Sequence, residues 1–226
     1  MDTTGQQLLN LGFDRYQRFK AASDIIRELA AGRQLSILEM GAFDNALAPF
    51  LAGFQHTCWP EKVDRQNPLA MADKQVDITL ALDVLEHVLP EEREFFIQEL
   101  SRVARQALIL SFPVKTSEAA ETFVGQMTGS AWLKEHQALG LPDKSQAEAM
   151  FARLNLKFTC YPNGALPSWT AMMLLMHGVE PDLRARISNF FNRHYYQLEN
   201  REPAYRYLYV LTRSDKVKGF LSPKNF

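Results

Sequence analysis

The chain has 226 residues, 46% of them hydrophobic and 11% aromatic, and a formal net charge of −1. That length buries one substantial core, so a single domain over 1–226 is expected, and the near-neutral charge gives no reason to expect nucleic-acid binding through a basic face. No apolar run approaches the roughly 18 residues of a membrane span, the opening MDTTGQQLLN lacks the basic and apolar regions of a signal peptide, and the two cysteines, Cys58 and Cys160, lie far apart without metal spacing, which together lead to the expectation of a reducing, cytoplasmic setting.

Residues 13–31 place Phe13, Tyr16, Phe19, Ile25, Ile26 and Leu29 at helical spacing and stop before Gly32, which predicts an amphipathic helix within an N-terminal helical segment, 1–32. Residues 36–38 then form a short apolar strand with an acid, Glu39, at its end. A turn follows at Gly41. Leu47, Phe50 and Leu51 are spaced for the buried face of a helix, with Asp44 placed as its cap. Asn45 tolerates positive φ and keeps the turn. Strand, glycine turn and helix start form the opening unit of a nucleotide-binding α/β domain.

Residues 54–59 predict a second strand, closed by Pro60. The stretch 53–75 is too short for that strand, a helix and another strand with their loops, and Pro60 and Pro68 work against a helix there. The second helix, and with it the third strand, is expected to be trimmed. Residues 76–87, VDITLALDVLEH, read as a buried strand ending at Asp83, so that Asp83, Glu86 and His87 gather at the carboxyl edge of the sheet. Three roles are open for them. The trio is a metal site, although its spacing is not a recognised ligand pattern; or His87 is a general base for a hydroxyl acceptor; or Glu86 and His87 cap the next helix.

That helix begins at Pro90 with Glu91 and Glu92 in its first turn and Phe95, Phe96, Leu100 and Val103 on its inner face. Residues 107–114, ALILSFPV, are the next strand. The pattern loosens over 115–145, where a helix over 118–127 and a structured stretch around Trp132 and His136 are expected. A helix over 145–154 leads into a strand over 157–161, and Pro162-Asn163-Gly164 reads as a turn by its chemistry. The helix opening near Pro167 carries Met172, Met173 and Met176, which fill a core or line an adaptable surface. A helix over 181–196 exposes Arg184, Arg186 and Arg193. Residues 205–212, YRYLYVLT, alternate as a last strand, expected to be antiparallel at the far side of the sheet, before a loosely held tail over 216–226.

Two stretches carry a resemblance to a family. Glu39 and Gly41 match the start of E/D-x-G-x-G-x-G, with Phe43 and Asn45 at the later glycine positions, and 76–87 follows F-D-x-V-x-x-x-D-V-L-E-H nearly position by position. The chain resembles the class I S-adenosylmethionine (SAM) methyltransferases, in particular small methyltransferase-like proteins associated with polysaccharide clusters. The resemblance implies a three-layer, Rossmann-like α/β fold whose sheet is mostly parallel with a terminal antiparallel strand, trimmed between strands 2 and 4. It implies SAM as cofactor, held by Glu39, Gly41, Ala42, Phe43, Asn45, Asp83 and Val84, with Glu61 near the ribose and Asp64 as the fallback. It also implies that the insertion 115–145 covers the acceptor site.

On this reading His87 and Glu86 are the catalytic candidates, His136, Trp132 and Asn163 contact the substrate, and no metal is required. The function so implied is SAM-dependent methylation of a small-molecule or saccharide acceptor. The alternative is a methyltransferase-like protein that has lost SAM binding and serves as a binding or scaffold module, which Phe43, Asn45 and the trimmed 53–75 segment favour. A dehydrogenase is disfavoured because G-x-G-x-x-G is absent.

Overall fold

The computed structural model describes residues 7–41 and 44–213. Ala42, Phe43 and the tail over 216–226 therefore lie outside the described residues. Helix α1 (Phe13–Ala30) follows the expected apolar spacing and ends where Ala31 and Gly32 turn into positive φ. Strands β1 (Ser36–Met40), β2 (Gln55–Trp59) and β3 (Val76–Leu82) come next, then α2 (Arg93–Val103) and β4 (Ala104–Pro113). The region expected as an insertion folds as two helices, α3 (Glu118–Thr128) and α4 (Ala131–Leu139). Then follow α5 (Lys144–Arg153), β5 (Lys157–Ala165), α6 (Leu166–Gly178), α7 (Pro181–Tyr195) and β6 (Ala204–Thr212).

The sheet runs in the order β2-β1-β3-β4-β6-β5, with β2, β1, β3 and β4 parallel and β6 antiparallel to both its neighbours. Alternation along the central strands sorts side chains to two faces. Ile37, Leu80, Ile109 and Leu208 meet α1 on one face, while Leu38, Ala81, Leu110 and Tyr209 meet Phe96, Leu100 and Phe151 of α2 and α5 on the other. Strands covered on both faces read as continuous apolar runs, which is why β3, β4 and β6 stand out in the sequence.

Between β2 and β3 there is no helix among the described residues, as the shortage of chain predicts. That segment is instead pinned by side chains of α2. Glu99 accepts from the Leu69 amide at 3.2 Å, and Arg102 donates to the carbonyls of Met71 (2.7 Å) and Leu69 (3.1 Å).

Three expectations are corrected. The helix after Gly41 is a single 3-10 turn, Ala48–Leu51, and Asp44 does not cap it; Asp44 accepts from the Ala46 amide at 3.2 Å and pairs with Arg15 at 2.6 Å. Pro49 within the turn and Gly53 just beyond it leave no room for further helical bonds. Pro162, Asn163 and Gly164 are not a turn but continue β5, paired with Tyr207 and Arg206 of β6. A proline is tolerated there because β5 is the edge strand. Lastly, β6 lies inside the sheet, between β4 and β5, and every residue of it is buried.

Candidate active site

The carboxyl end of β3 is held in an unusual backbone state that aims the next residues out of the sheet. Asp83 takes φ 55°, and its amide donates to the Ser111 carbonyl at 2.9 Å while its Oδ1 accepts from Ser111 Oγ at 2.8 Å. A non-glycine residue in that region is strained and persists where its surroundings fix it. The 3-10 turn Leu85–His87 follows, so Glu86 and His87 do not cap α2, which starts six residues beyond His87. Both side chains line a cavity of about 420 Å³ together with Trp132 and His136 of α4, Met173 and Met176 of α6, and Arg18 of α1.

Helical spacing puts Trp132 and His136 on one face of α4, with rings 5.0 Å apart. His136 is 1% exposed, and its Nδ1 lies 3.1 Å from both oxygens of Glu121 on α3. Tyr205 of β6 donates its hydroxyl to the same carboxylate at 2.6 Å. On the other side, His136 Nε2 lies 3.3 Å from His87 Nε2, and His87 Nδ1 lies 3.3 Å from Glu135. Burial and the neighbouring His136 hold the His87 imidazolium at a disadvantage, against a smaller pull from Glu135, so its pKa is lowered from the usual 6.5. Glu86 is 1% exposed, and burial together with the charge of Asp83 raises its carboxyl well above the usual range.

Behind this cluster lies a buried set of charges. Arg206 of β6, 1% exposed, is bonded to Asp14 of α1 and sits 3.1 Å from Asp83. Arg18 bridges the same two acids, at 2.5 Å from Asp14 and 3.3 Å from Asp83, and Trp169 Nε1 donates to Asp14 at 3.0 Å. Burial alone would raise Asp14, but Arg206 and Arg18 override it and hold the carboxyl below its usual value. Burial likewise opposes the charge on Arg206, and Asp14 and Asp83 more than offset it. Two acids and two guanidiniums thus fix α1 against the carboxyl edge of β3.

At the end of β1, Glu39 is buried and its Oε2 lies 2.8 Å from His56 Nε2, with Cys58 Sγ at 3.7 Å. Gly41 (φ 74°) and Asn45 (φ 54°) both take the positive φ expected of residues that turn the chain after β1. A side chain at Gly41 is excluded twice, by its φ and because a Cβ would stand 2.7 Å from Val84 Cγ2. The loops after β1 and β3 therefore touch. Glu61 is exposed just beyond β2, and Asp64 is spent on its own turn, accepting from the amides of Gln66 (3.0 Å) and Asn67 (2.9 Å).

The structure thus brings Asp83, Glu86, His87, Trp132 and His136 to one cavity and leaves Glu39, Gly41, Asn45 and Val84 beside it on the same sheet edge. Asn163 stands apart in the wall of another cavity, of about 250 Å³, where it donates to the Gln17 carbonyl at 3.3 Å and to Asn200 at 3.0 Å. Sequence reasoning missed Asp14, Arg18, Glu121 and Arg206. The one local signal was the Asp14–Arg18 spacing on α1, which reads equally as a solvated helical pair.

No protein-family model matches the chain, and no curated protein matches it in sequence. Solved structures do match. The plantazolicin methyltransferase BpumL, in complex with a pentazolic desmethylPZN analog and SAH, superposes with TM-score 0.57 at 9% identity over 88% of this chain and 84% of that one. The magnesium protoporphyrin IX methyltransferase ChlM from Synechocystis, with bound SAH, gives TM-score 0.52 at 16% identity over 89% and 86% of the two chains. The carbon methyltransferase CurJ gives TM-score 0.54 at 10% identity over 89% of this chain but 55% of that one, so the chain spans about half of CurJ's length. At these identities the likeness concerns architecture: the chain has the Rossmann-like fold of the class I methyltransferases.

Proposed function

We propose that the chain is a SAM-dependent methyltransferase that acts on a small acceptor, a saccharide or another small molecule, held in the cavity between β3, α1, α4 and α6. The observation that carries this reading is the placement of the imidazoles of His87 and His136 in that cavity, next to the positive-φ turn and buried acid at the end of β1. The described residues fit the cofactor: Glu39 is an acceptor for an ammonium group, Gly41 and Asn45 take positive φ where the chain leaves β1, and Glu61 stands in the loop after β2 for a vicinal diol. Bound there, SAM would supply an electrophilic methyl group.

The chain's own residues would do the rest. An acceptor needs to be aligned and relieved of its proton, and alignment in a closed cavity supplies much of such a rate. Glu121 faces Nδ1 of His136 and Glu135 faces Nδ1 of His87, which turns the Nε2 atoms of both rings towards each other at the cavity. The lowered pKa of His87 keeps it neutral and ready to accept a proton from a hydroxyl or amine. Met173 and Met176 give the apolar wall, and about 420 Å³ lies within the range of small-ligand pockets. Isothermal titration with SAM and with S-adenosylhomocysteine tests the reading. One-to-one binding of both is expected, and absence of binding by the folded chain would overturn it.

A further inference from the structure

We propose that Glu86, His87 and His136 form a site for one divalent transition-metal cation of the Zn²⁺ class, open on one side to the cavity. The three side chains each offer one ligand atom, and these atoms lie within 4.8 Å of one another. The two imidazoles face each other through Nε2 at 3.3 Å. Two nitrogens bound to one tetrahedral Zn²⁺ at roughly 2.0–2.1 Å stand about 3.3–3.4 Å apart. The pair is already at the span that a shared ion requires.

The outer nitrogens show why these lone pairs converge. His136 Nδ1 faces the Glu121 carboxylate at 3.1 Å, and His87 Nδ1 faces Glu135 at 3.3 Å. A carboxylate there favours the proton on Nδ1 and so Nε2 as the metal-facing nitrogen, the outer arrangement that metal-bound histidines use. At 3.3 Å the two Nε2 atoms are held together by a proton that one donates to the other, and a cation bound by both would take the place of that proton.

Glu86 supplies a second, independent observation. It is 1% exposed, it lines the cavity, and its Oε2 has no hydrogen-bond partner. Leaving a buried carboxylate oxygen unmatched is costly, and a cation held with the two histidines would satisfy it. The nearby guanidiniums do not fill that role, since Arg18 and Arg206 are engaged by Asp14 and Asp83, and Arg93 donates to the carbonyls of Val88 and Gly140. Two histidines and one carboxylate occupy three positions of a tetrahedron, and a fourth left open is the mark of a reactive rather than a structural centre. In that position the ion would bind an acceptor oxygen or nitrogen and ease loss of its proton, a role that replaces His87 as the proton acceptor because its Nε2 would then be a ligand; this consequence alone rests on the methyltransferase reading.

The test uses the purified full chain, stripped by a chelator and titrated with Co²⁺. One equivalent is expected to produce the visible bands of tetrahedral cobalt without thiolate charge transfer, and Zn²⁺ should displace it. Affinity should fall at least tenfold in Glu86→Gln and in His87→Ala and be kept in Cys58→Ser. His87 is part-exposed, so its variant carries the test should Glu86→Gln fail to fold. The comparison with Cys58 matters because Glu39, His56 and Cys58 form another group of possible ligands. A thiolate band, loss of the signal in Cys58→Ser, unchanged affinity in His87→Ala, or no Co²⁺ binding would each overturn the site. A parallel SAM titration on the stripped chain separates the two proposals: SAM binding without a cobalt site defeats this inference alone, and a cobalt site without SAM binding defeats the methyltransferase reading alone.

Discussion

Glu39 and His87 divide the proposed work between cofactor and acceptor. The Glu39 carboxylate is already 2.8 Å from His56, so an incoming ammonium group would share it. Glu39→Ala should weaken SAM binding by roughly 1.5–3 kcal/mol, the scale of a hydrogen bond to a charged group. Titration of the folded variant checks this, and an unchanged affinity would remove Glu39 from the cofactor site. His87 acts on the other partner. In His87→Gln, methyl transfer from labelled SAM should drop by about 10²–10⁴-fold, the range for a lost general base or ligand, while SAM affinity stays as it was. Equal turnover would shift proton acceptance away from His87.

Among the elements, the amino edge of the sheet is held by one side chain. Asp77, at the start of β3, accepts from the Ser36 amide (3.0 Å) and hydroxyl (2.9 Å) at the start of β1, and from Arg105 (2.6 Å) and Gln106 (3.1 Å) of β4. Burial would raise its pKa, but these donors prevail and lower it from 3.8 to about 2. A carboxyl with a lower pKa in the folded than in the unfolded chain stabilises the fold above the ordinary value, and that contribution is lost as pH falls from about 3.8 to about 2. Asp77→Asn should therefore cost roughly 1–2 kcal/mol near neutral pH. Urea melts at several pH values should show the gap between variant and wild type closing towards pH 2; a gap independent of pH would contradict the assignment.

The same scale shows what the sequence reveals and what it hides. Strands β1, β3 and β4 are legible because burial on both faces makes them apolar runs, and α1 because its period is unbroken. The Glu39–Gly41 turn and the Asp83–His87 stretch mark the site by local chemistry. Pro162-Asn163-Gly164 misleads because its turn chemistry is overridden by pairing at a sheet edge. Arg206 is hidden for a different reason: among alternating tyrosines it looks solvent-facing, and its acid partner Asp14 lies 192 residues away. His136 and Glu121 sit on neighbouring helices and acquire their relation only when α3 and α4 fold together.

For the molecule as a whole, the Asp14–Arg206–Asp83–Arg18 set ties the first helix to the last strand directly behind the candidate site. Replacing such a buried set outright with apolar groups can be neutral, but removing one partner leaves uncompensated charge. Arg206→Met should accordingly lower unfolding free energy by about 3–5 kcal/mol. Denaturant melts measure this, and a loss below about 1 kcal/mol would mean that water or rearrangement satisfies Asp14 and Asp83. Because Asp83 also lines the cavity, the same variant should weaken ligand binding there.

On the proposed reading, one sheet edge presents a cofactor from the β1 turn to a cavity built around His87 and His136. A crystal structure of the chain grown with S-adenosylhomocysteine tests it most directly. The ligand is expected across the ends of β1 and β3, its amino-acid part beside Glu39 and Gly41 and its sulfur facing the cavity lined by Asp83, His87 and His136. Crystals in which that edge is closed by the Glu39–His56 contact, with the ligand absent or bound elsewhere, would contradict it.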